Sequence, residues 1–145
     1  MTPRVPVQDL AFGDLKLGLS ASFQASVNAA DIDAFARLSG DFSDLHVDDS
    51  YAQAAGFPSR VAHGMLCSSL YSTLVGVHLP GKRALLQGIE LSFHAPVLAG
   101  EVLTVRGEVS NLSEAVRQAE IKAEIRNAAG QRVSKALIKV GLRGA

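Results

Sequence analysis

Two short stretches hold the residue types that chemistry needs. The first runs Asp41, Phe42, Ser43, Asp44, Leu45, His46, Val47, Asp48, and the second Arg60, Val61, Ala62, His63, Gly64, Met65. An imidazole at His46 can take or give a proton near neutral pH, and a carboxylate at Asp41, five residues earlier, can orient a water or accept its proton. The two meet on one small molecule only if the loop folds back on itself, and such a loop is shaped for a purpose. Gly64 and Met65 open a helix, whose unpaired backbone N–H groups form a partial positive charge suited to a developing oxyanion. Gly64 has no Cβ, so a ligand carbonyl can come close to its backbone. His63 reads as a structural residue whose ring bonds to loop backbone, His78 and His94 as ordinary helix-end and strand histidines, and Cys67 as a small buried hydrophobe.

Crowding of Asp41, Asp44, His46, Asp48 and Asp49 raises the question of a metal. A calcium loop fails, because its third and fifth positions would be Ser43 and Leu45 and the glycine required at the sixth is missing. A zinc site would want a second correctly spaced ligand, and nothing supplies one. No metal is expected.

These residues need elements to position them. Alternation over residues 20–27 predicts a strand with Phe23, Ala25 and Val27 on one side. A helix follows, capped by Asn28, with Asp31 in its first turn, an apolar stripe of Ile32, Phe35, Ala36 and Leu38, and a stop at Gly40. Residues 41–62 read as loop with one short helix around Ser50 to Ala55, broken by Gly56 and Pro58. From His63 to His78 there is no charge, only aliphatics among Gly, Ser, Thr, Cys and Tyr, which predicts a helix buried on nearly every side. It is too short to span a bilayer, so its cover must be protein. The second half supplies that cover as four strands: 84–95 with Leu85, Ile89, Leu91 and Phe93 on one face, 102–111 with Leu103, Val105 and Val109, 117–127 with Ala119, Ile121, Ala123 and Ile125, and a last one with Ala136, Ile138, Val140 and Leu142. The fold class is therefore α+β, an antiparallel sheet curved around one central helix.

Composition agrees. The 145 residues are 48% hydrophobic, enough for one domain with its own core, so residues 1–145 are read as a single domain. Fourteen basic residues balance fourteen acidic ones, which argues against a broad face for nucleic acid or an anionic membrane. One cysteine cannot form an internal bridge and suggests a reducing setting. No apolar run reaches the ~18 residues of a membrane span, and Met1 to Pro6 lack the apolar block of a signal peptide, so a soluble cytoplasmic protein is expected. The first dozen residues are expected to be the one loose segment.

The run from Leu38 to Asp48 and the block from Arg60 to Ser72 resemble the MaoC-like dehydratase family, the (R)-specific enoyl-CoA hydratases. That family's loop reads Asp-x-Asn-Pro-x-His-x-Asp and its central helix opens His-Gly-Met; Leu79, Pro80, Gly81 and Phe93 to Val97 extend the likeness over most of the chain. The resemblance implies a hot-dog fold, Asp41 and His46 as the catalytic pair, Gly64 as the oxyanion-hole residue, and Ser72 as a supporting hydroxyl, with His63 and Met65 beside them. It implies reversible syn addition of water to a trans-2-enoyl thioester of coenzyme A or acyl-carrier protein, with no metal or redox cofactor. Ser43 stands where the family has Asn and Asp44 where it has Pro, so the hold on the water and the loop backbone must differ here, and Asp44 is a new carboxylate that would favour the imidazolium of His46 if close and ionised. Lys82 and Arg83, just past the helix, can meet the phosphates of coenzyme A, although a basic pair at a turn is usually only solvated. Two other functions share these residues: hot-dog thioester hydrolysis, and a non-catalytic acyl-thioester-binding subunit. Sheet edges must be covered, so a homodimer or larger assembly is expected, with a small-molecule thioester as ligand and neither nucleic acid nor membrane as partner.

Overall fold

The computed structural model describes residues 2–144. A 3-10 turn at Phe12–Asp14 precedes β1 (Ser20–Ser26), α1 (Ala29–Ser39), α2 (Asp44–Val47), α3 (Asp49–Ala54) and α4 (Gly64–Thr73), which a π-helical turn, Leu74–His78, prolongs. Strands β2 (Ala84–Phe93), β3 (Val102–Ser113), β4 (Gln118–Asn127) and β5 (Arg132–Leu142) complete the chain. All pairs are antiparallel and the order is β1-β3-β4-β5-β2. The α+β class and the sheet wrapped on a central helix are as the sequence predicts.

The cleanest alternations give the driest faces. Ile121, Ile125, Ile138 and Val140 are fully buried, as are Leu103 and Val105 of β3, and all pack in one cluster with Leu70, Tyr71, Leu74 and Val75 from α4 and its π-helical extension. The helix crosses the sheet closely at Gly107, where a Cβ would lie 2.6 Å from Leu74 Cδ2 and 3.0 Å from Ile121 Cγ2. Only glycine leaves that crossing unstrained.

α1 is bounded as predicted. The Asn28 side chain accepts from Asp31 N–H and the Asp31 carboxylate accepts from Asn28 N–H, each at 2.9 Å, while Gly40 takes the left-handed conformation at φ 79° that ends the helix. Leu38 departs from the stripe and is 85% exposed. Six residues past Ile32 is about 240° around a helix of 3.6 residues per turn, so it faces solvent.

Other departures have equally local causes. Residues 41–62 hold two short helices rather than one, because α2 is a single turn, too short to show a period, and the Asp48 carboxylate accepts from Tyr51 N–H at 3.1 Å to start α3. In β2 the register slips between Leu86 and Gly88, so Leu86 and not Leu85 shares the face of Ile89, Leu91 and Phe93. α4 is covered on most sides, but Met65, Ser69 and Ser72, spaced i, i+4, i+7, stay exposed on one face. The N-terminal residues are not all loose: Gln8 N–H donates to Val77 C=O at 2.8 Å, Lys82 N–H to Gln8 C=O at 2.9 Å, and Leu10 N–H to Pro80 C=O at 3.2 Å.

Candidate active site

Asp41 follows directly on the left-handed Gly40, and its backbone N–H donates to Ser39 Oγ at 3.2 Å, so the end of α1 sets where it sits. One carboxylate oxygen, Oδ1, accepts from the Ser43 hydroxyl at 2.6 Å and from Ser43 N–H at 3.1 Å. These two bonds, the hydroxyl first, hold the Asp41 carboxyl below its ordinary value, with smaller help from His46 and His63. The other oxygen, Oδ2, faces His46 Nε2 at 3.9 Å.

His46 lies in α2, part-buried, and its Nδ1 is 2.6 Å from Val61 C=O. A carbonyl only accepts, so Nδ1 carries a proton, and in the neutral ring Nε2 presents its lone pair toward Asp41. A second backbone bond, Val61 N–H to Leu45 C=O at 3.1 Å, pins the same two segments together. His63, 2% exposed, stacks its ring on that of His46 with centroids 4.0 Å apart and is tilted against the ring of Phe35 at 4.8 Å. His63 Nε2 donates to Asp41 C=O at 3.0 Å, so this histidine holds loop backbone as predicted; its Nδ1 has no partner among the described residues.

Asp41, His46 and His63 bring one potential ligand atom each within 4.8 Å of one another. The two rings stack at 27°, however, so their in-plane lone pairs run side by side rather than converging, and one nitrogen of each is already bonded to a carbonyl. Such a cluster handles protons better than it coordinates a cation at the ~2.0 Å of a metal–imidazole bond.

Gly64 opens α4 with no side-chain cap over its first turn, and a cavity of about 370 Å³ is lined by His46, Val61, Gly64, Cys67, Phe93 and Ser134, among others. The ring of Phe93 comes so close to Gly64 that a Cβ on residue 64 would lie 3.0 Å from its Cε1. The helix start and the imidazole thus share one concavity. A larger groove of about 580 Å³ crosses the outer sheet face, where Arg106, Lys122, Glu124 and Lys135 alternate, and none of the candidate residues reaches it.

Other sequence candidates are placed apart. Ser72 and Met65 line a separate groove of about 290 Å³ with Phe35, Ile89 and Leu91, a groove that neither Asp41 nor His46 lines. Lys82 and Arg83 lie past the far end of the central helix and both bind Asp9, at 3.3 and 2.6 Å; that bond to Arg83 chiefly holds the Asp9 carboxyl low. Asp44 starts α2 and is not within ion-pair distance of His46; Asp41 is the one carboxylate that is, among the described residues. Burial pushes the Cys67 thiol up to about 11, which makes it inert at neutral pH. What sequence reasoning missed is Val61, whose contribution is a backbone carbonyl, and Phe35, whose role depends on tertiary contact.

This geometry can be set beside known proteins. The model of the MaoC like domain matches residues 16–132. The chain belongs to the MaoC-like family. Among its relatives, the (R)-specific enoyl-CoA hydratase of Aeromonas caviae is 42% identical over 100 residues, 69% of this chain and 75% of that one. The 3-hydroxybutyryl-CoA dehydratase of Methylorubrum extorquens is 33% identical over 121 residues, 83% and 76% of the two chains. In three dimensions this MaoC-like chain resembles the unliganded R-hydratase of Pseudomonas aeruginosa with a TM-score of 0.91 at 30% identity, over 96% of this chain and 89% of that one, which gives the hot-dog fold its name here.

Proposed function

We propose that this protein is an (R)-specific enoyl-CoA hydratase, a hydro-lyase that adds water reversibly and syn to a trans-2-enoyl thioester. The observation that carries this reading is the Asp41–His46 pair: an anionic oxygen and an imidazole lone pair 3.9 Å apart, too far to bond each other and well spaced to share one water. In the forward direction His46 Nε2 takes a proton from that water as its oxygen bonds to Cβ, while Asp41 Oδ2 orients the water through its second hydrogen. Charge develops on the thioester oxygen, which the Gly64 N–H at the start of α4 stabilises. His46 Nε2–H then gives that proton to Cα from the same side as the enolate-like charge collapses, which regenerates the neutral imidazole and completes a syn addition. Hydration neither oxidises nor reduces the substrate, so the chemistry calls for no redox cofactor, and Gly64 supplies the electrophilic help a metal would otherwise give.

The same reading includes a carrier thioester, of coenzyme A or acyl-carrier protein, and a homodimer. Support for the second copy comes from β2, a strand at the sheet edge that exposes Leu86, Ile89 and Phe93 on one face, Leu86 and Ile89 sharing a groove with the exposed Met65 of α4. No helix among the described residues is long and apolar enough to cross a membrane, and a lone buried Cys67 fits a reducing cytoplasm.

Crotonyl-CoA is the test substrate. Loss of the conjugated-thioester absorbance, with (R)-3-hydroxybutyryl-CoA as product, is expected, and Asp41→Asn and His46→Gln should each lower turnover about 100-fold or more while the circular dichroism spectrum stays unchanged. Release of free thiol without hydration would mean a thioesterase, and binding without turnover across chain lengths would mean a silent binding subunit.

A further inference from the structure

The Arg60 side chain is 11% exposed and reaches 27 residues back along the sequence to Asp33 of α1, with Nη1 2.6 Å from Oδ1. Its Nη2 approaches Ala29 C=O at 3.4 Å, and its backbone N–H donates to Asp49 Oδ1 at 2.9 Å. A nearly buried guanidinium is expensive to desolvate, and this one is bonded to groups that do no chemistry themselves.

What it touches explains where it sits. Asp33 is in α1, and the end of α1 carries Asp41 through Gly40 and Ser39. Val61, the next residue after Arg60, carries the carbonyl that binds His46 Nδ1. Residues 60–62 are also bonded on their other side, Ala99 N–H to Arg60 C=O at 3.2 Å and Ala62 N–H to Val97 C=O at 2.7 Å, so the segment cannot shift alone. One member of the pair is thus referenced to Asp33 through a helix, the other to Arg60 through a single peptide unit.

We infer that the Arg60–Asp33 ion pair is the positioning device of the dyad: it sets the Asp41–His46 gap and, through Val61 C=O, fixes the His46 proton on Nδ1. This deepens the hydratase reading and rests on it only for the kinetic readout. Arg60 and Asp33 touch neither the water nor the thioester, so their loss should lower kcat and leave KM nearly unchanged, because a dyad displaced by about 1 Å costs on the order of 100-fold in rate.

The test uses the 145-residue protein in five forms: wild type, Asp33→Asn, Arg60→Gln, Arg60→Lys and the double variant Asp33→Asn/Arg60→Gln. Asp33 is about half exposed and Asn keeps its shape, so that variant guards against a trivial folding failure of the Arg60 changes. Long-range 1H–15N spectra of uniformly 15N-labelled protein report the His46 tautomer without any substrate. Wild type should show a single Nδ1–H form, Asp33→Asn and Arg60→Gln a mixture, and Arg60→Lys a partial return. With crotonyl-CoA, kcat should fall about 10- to 100-fold in Asp33→Asn, with KM changed less than about threefold, and the double variant Asp33→Asn/Arg60→Gln should be no worse than Arg60→Gln alone. A folded Asp33→Asn that keeps both the Nδ1–H tautomer and the wild-type kcat overturns the inference. If wild type shows no turnover while the tautomer still responds, the positioning device stands and the hydratase reading falls.

Discussion

At the scale of single residues, Ser43 stands where the family motif has Asn, and its presence has a measurable consequence. Its hydroxyl is the largest of the influences that keep Asp41 ionised, and it occupies Oδ1 so that only Oδ2 remains for chemistry. Because the folded-state value of Asp41 lies below the ordinary one, ionisation favours the fold, a contribution present at neutral pH and lost as pH falls through that depressed value. Ser43→Ala removes the hydroxyl and leaves only the backbone bond. The Asp41 titration midpoint, followed by the 13C shift of its carboxyl carbon, should therefore move upward, and an unmoved midpoint would mean that the backbone N–H alone suffices. The residue types at the site were legible in the sequence, since an Asp, a His and a helix-opening Gly announce themselves by chemistry and spacing. Val61 was not, because a carbonyl belongs to every residue and only the fold decides which one an imidazole meets.

At the scale of elements, the meeting of α4 and the sheet is decided by Gly107. Adding one methyl group there drives it into Leu74 and Ile121, an overpacking that costs roughly 1–3 kcal/mol. Gly107→Ala should melt several degrees below wild type in thermal unfolding, with kcat little affected since the crossing lies away from Asp41 and His46; an unchanged melting temperature would show that Leu74 turns aside freely. β4 and β5 could be read residue by residue because a strand with one dry face must alternate. β2 could not, because its extra residue at Gln87 inverts the pattern midway, and a bulge on an edge strand leaves no mark in hydrophobicity. α2 escaped for the opposite reason: one turn is shorter than any period.

At the scale of the whole molecule, the exposed face of α4 and the bulged edge of β2 lie together, Met65 and Ser72 on one and Ile89 and Leu91 on the other sharing a groove. A helix without charges needs cover on every side, and here protein of this chain covers all but one. Light scattering should give the mass of two chains, and Ile89→Lys, which puts a charge on that edge, should shift the protein toward a monomer. A wild-type monomer at micromolar concentration would remove the dimer from the proposed function.

The segment Lys82–Arg83 has a further meaning for how the domain can be built into larger proteins. Gln8 bonds to it from one end of the described chain, and Arg143 from the other, its N–H to Arg83 C=O at 2.9 Å and its guanidinium to Lys82 C=O at 2.7 Å. Gln8 and Arg143 are thereby moored at the same pole, roughly the 20 Å length of the central helix away from Gly64. From there the preceding residues run back along the molecule, and Thr2 shares a groove with Phe35 and Leu38 of α1 and Leu66 of α4. Cargo fused after Arg143 would therefore depart from the side opposite the cavity, whereas a linker joined ahead of Thr2 would start beside α1 and the first turns of α4.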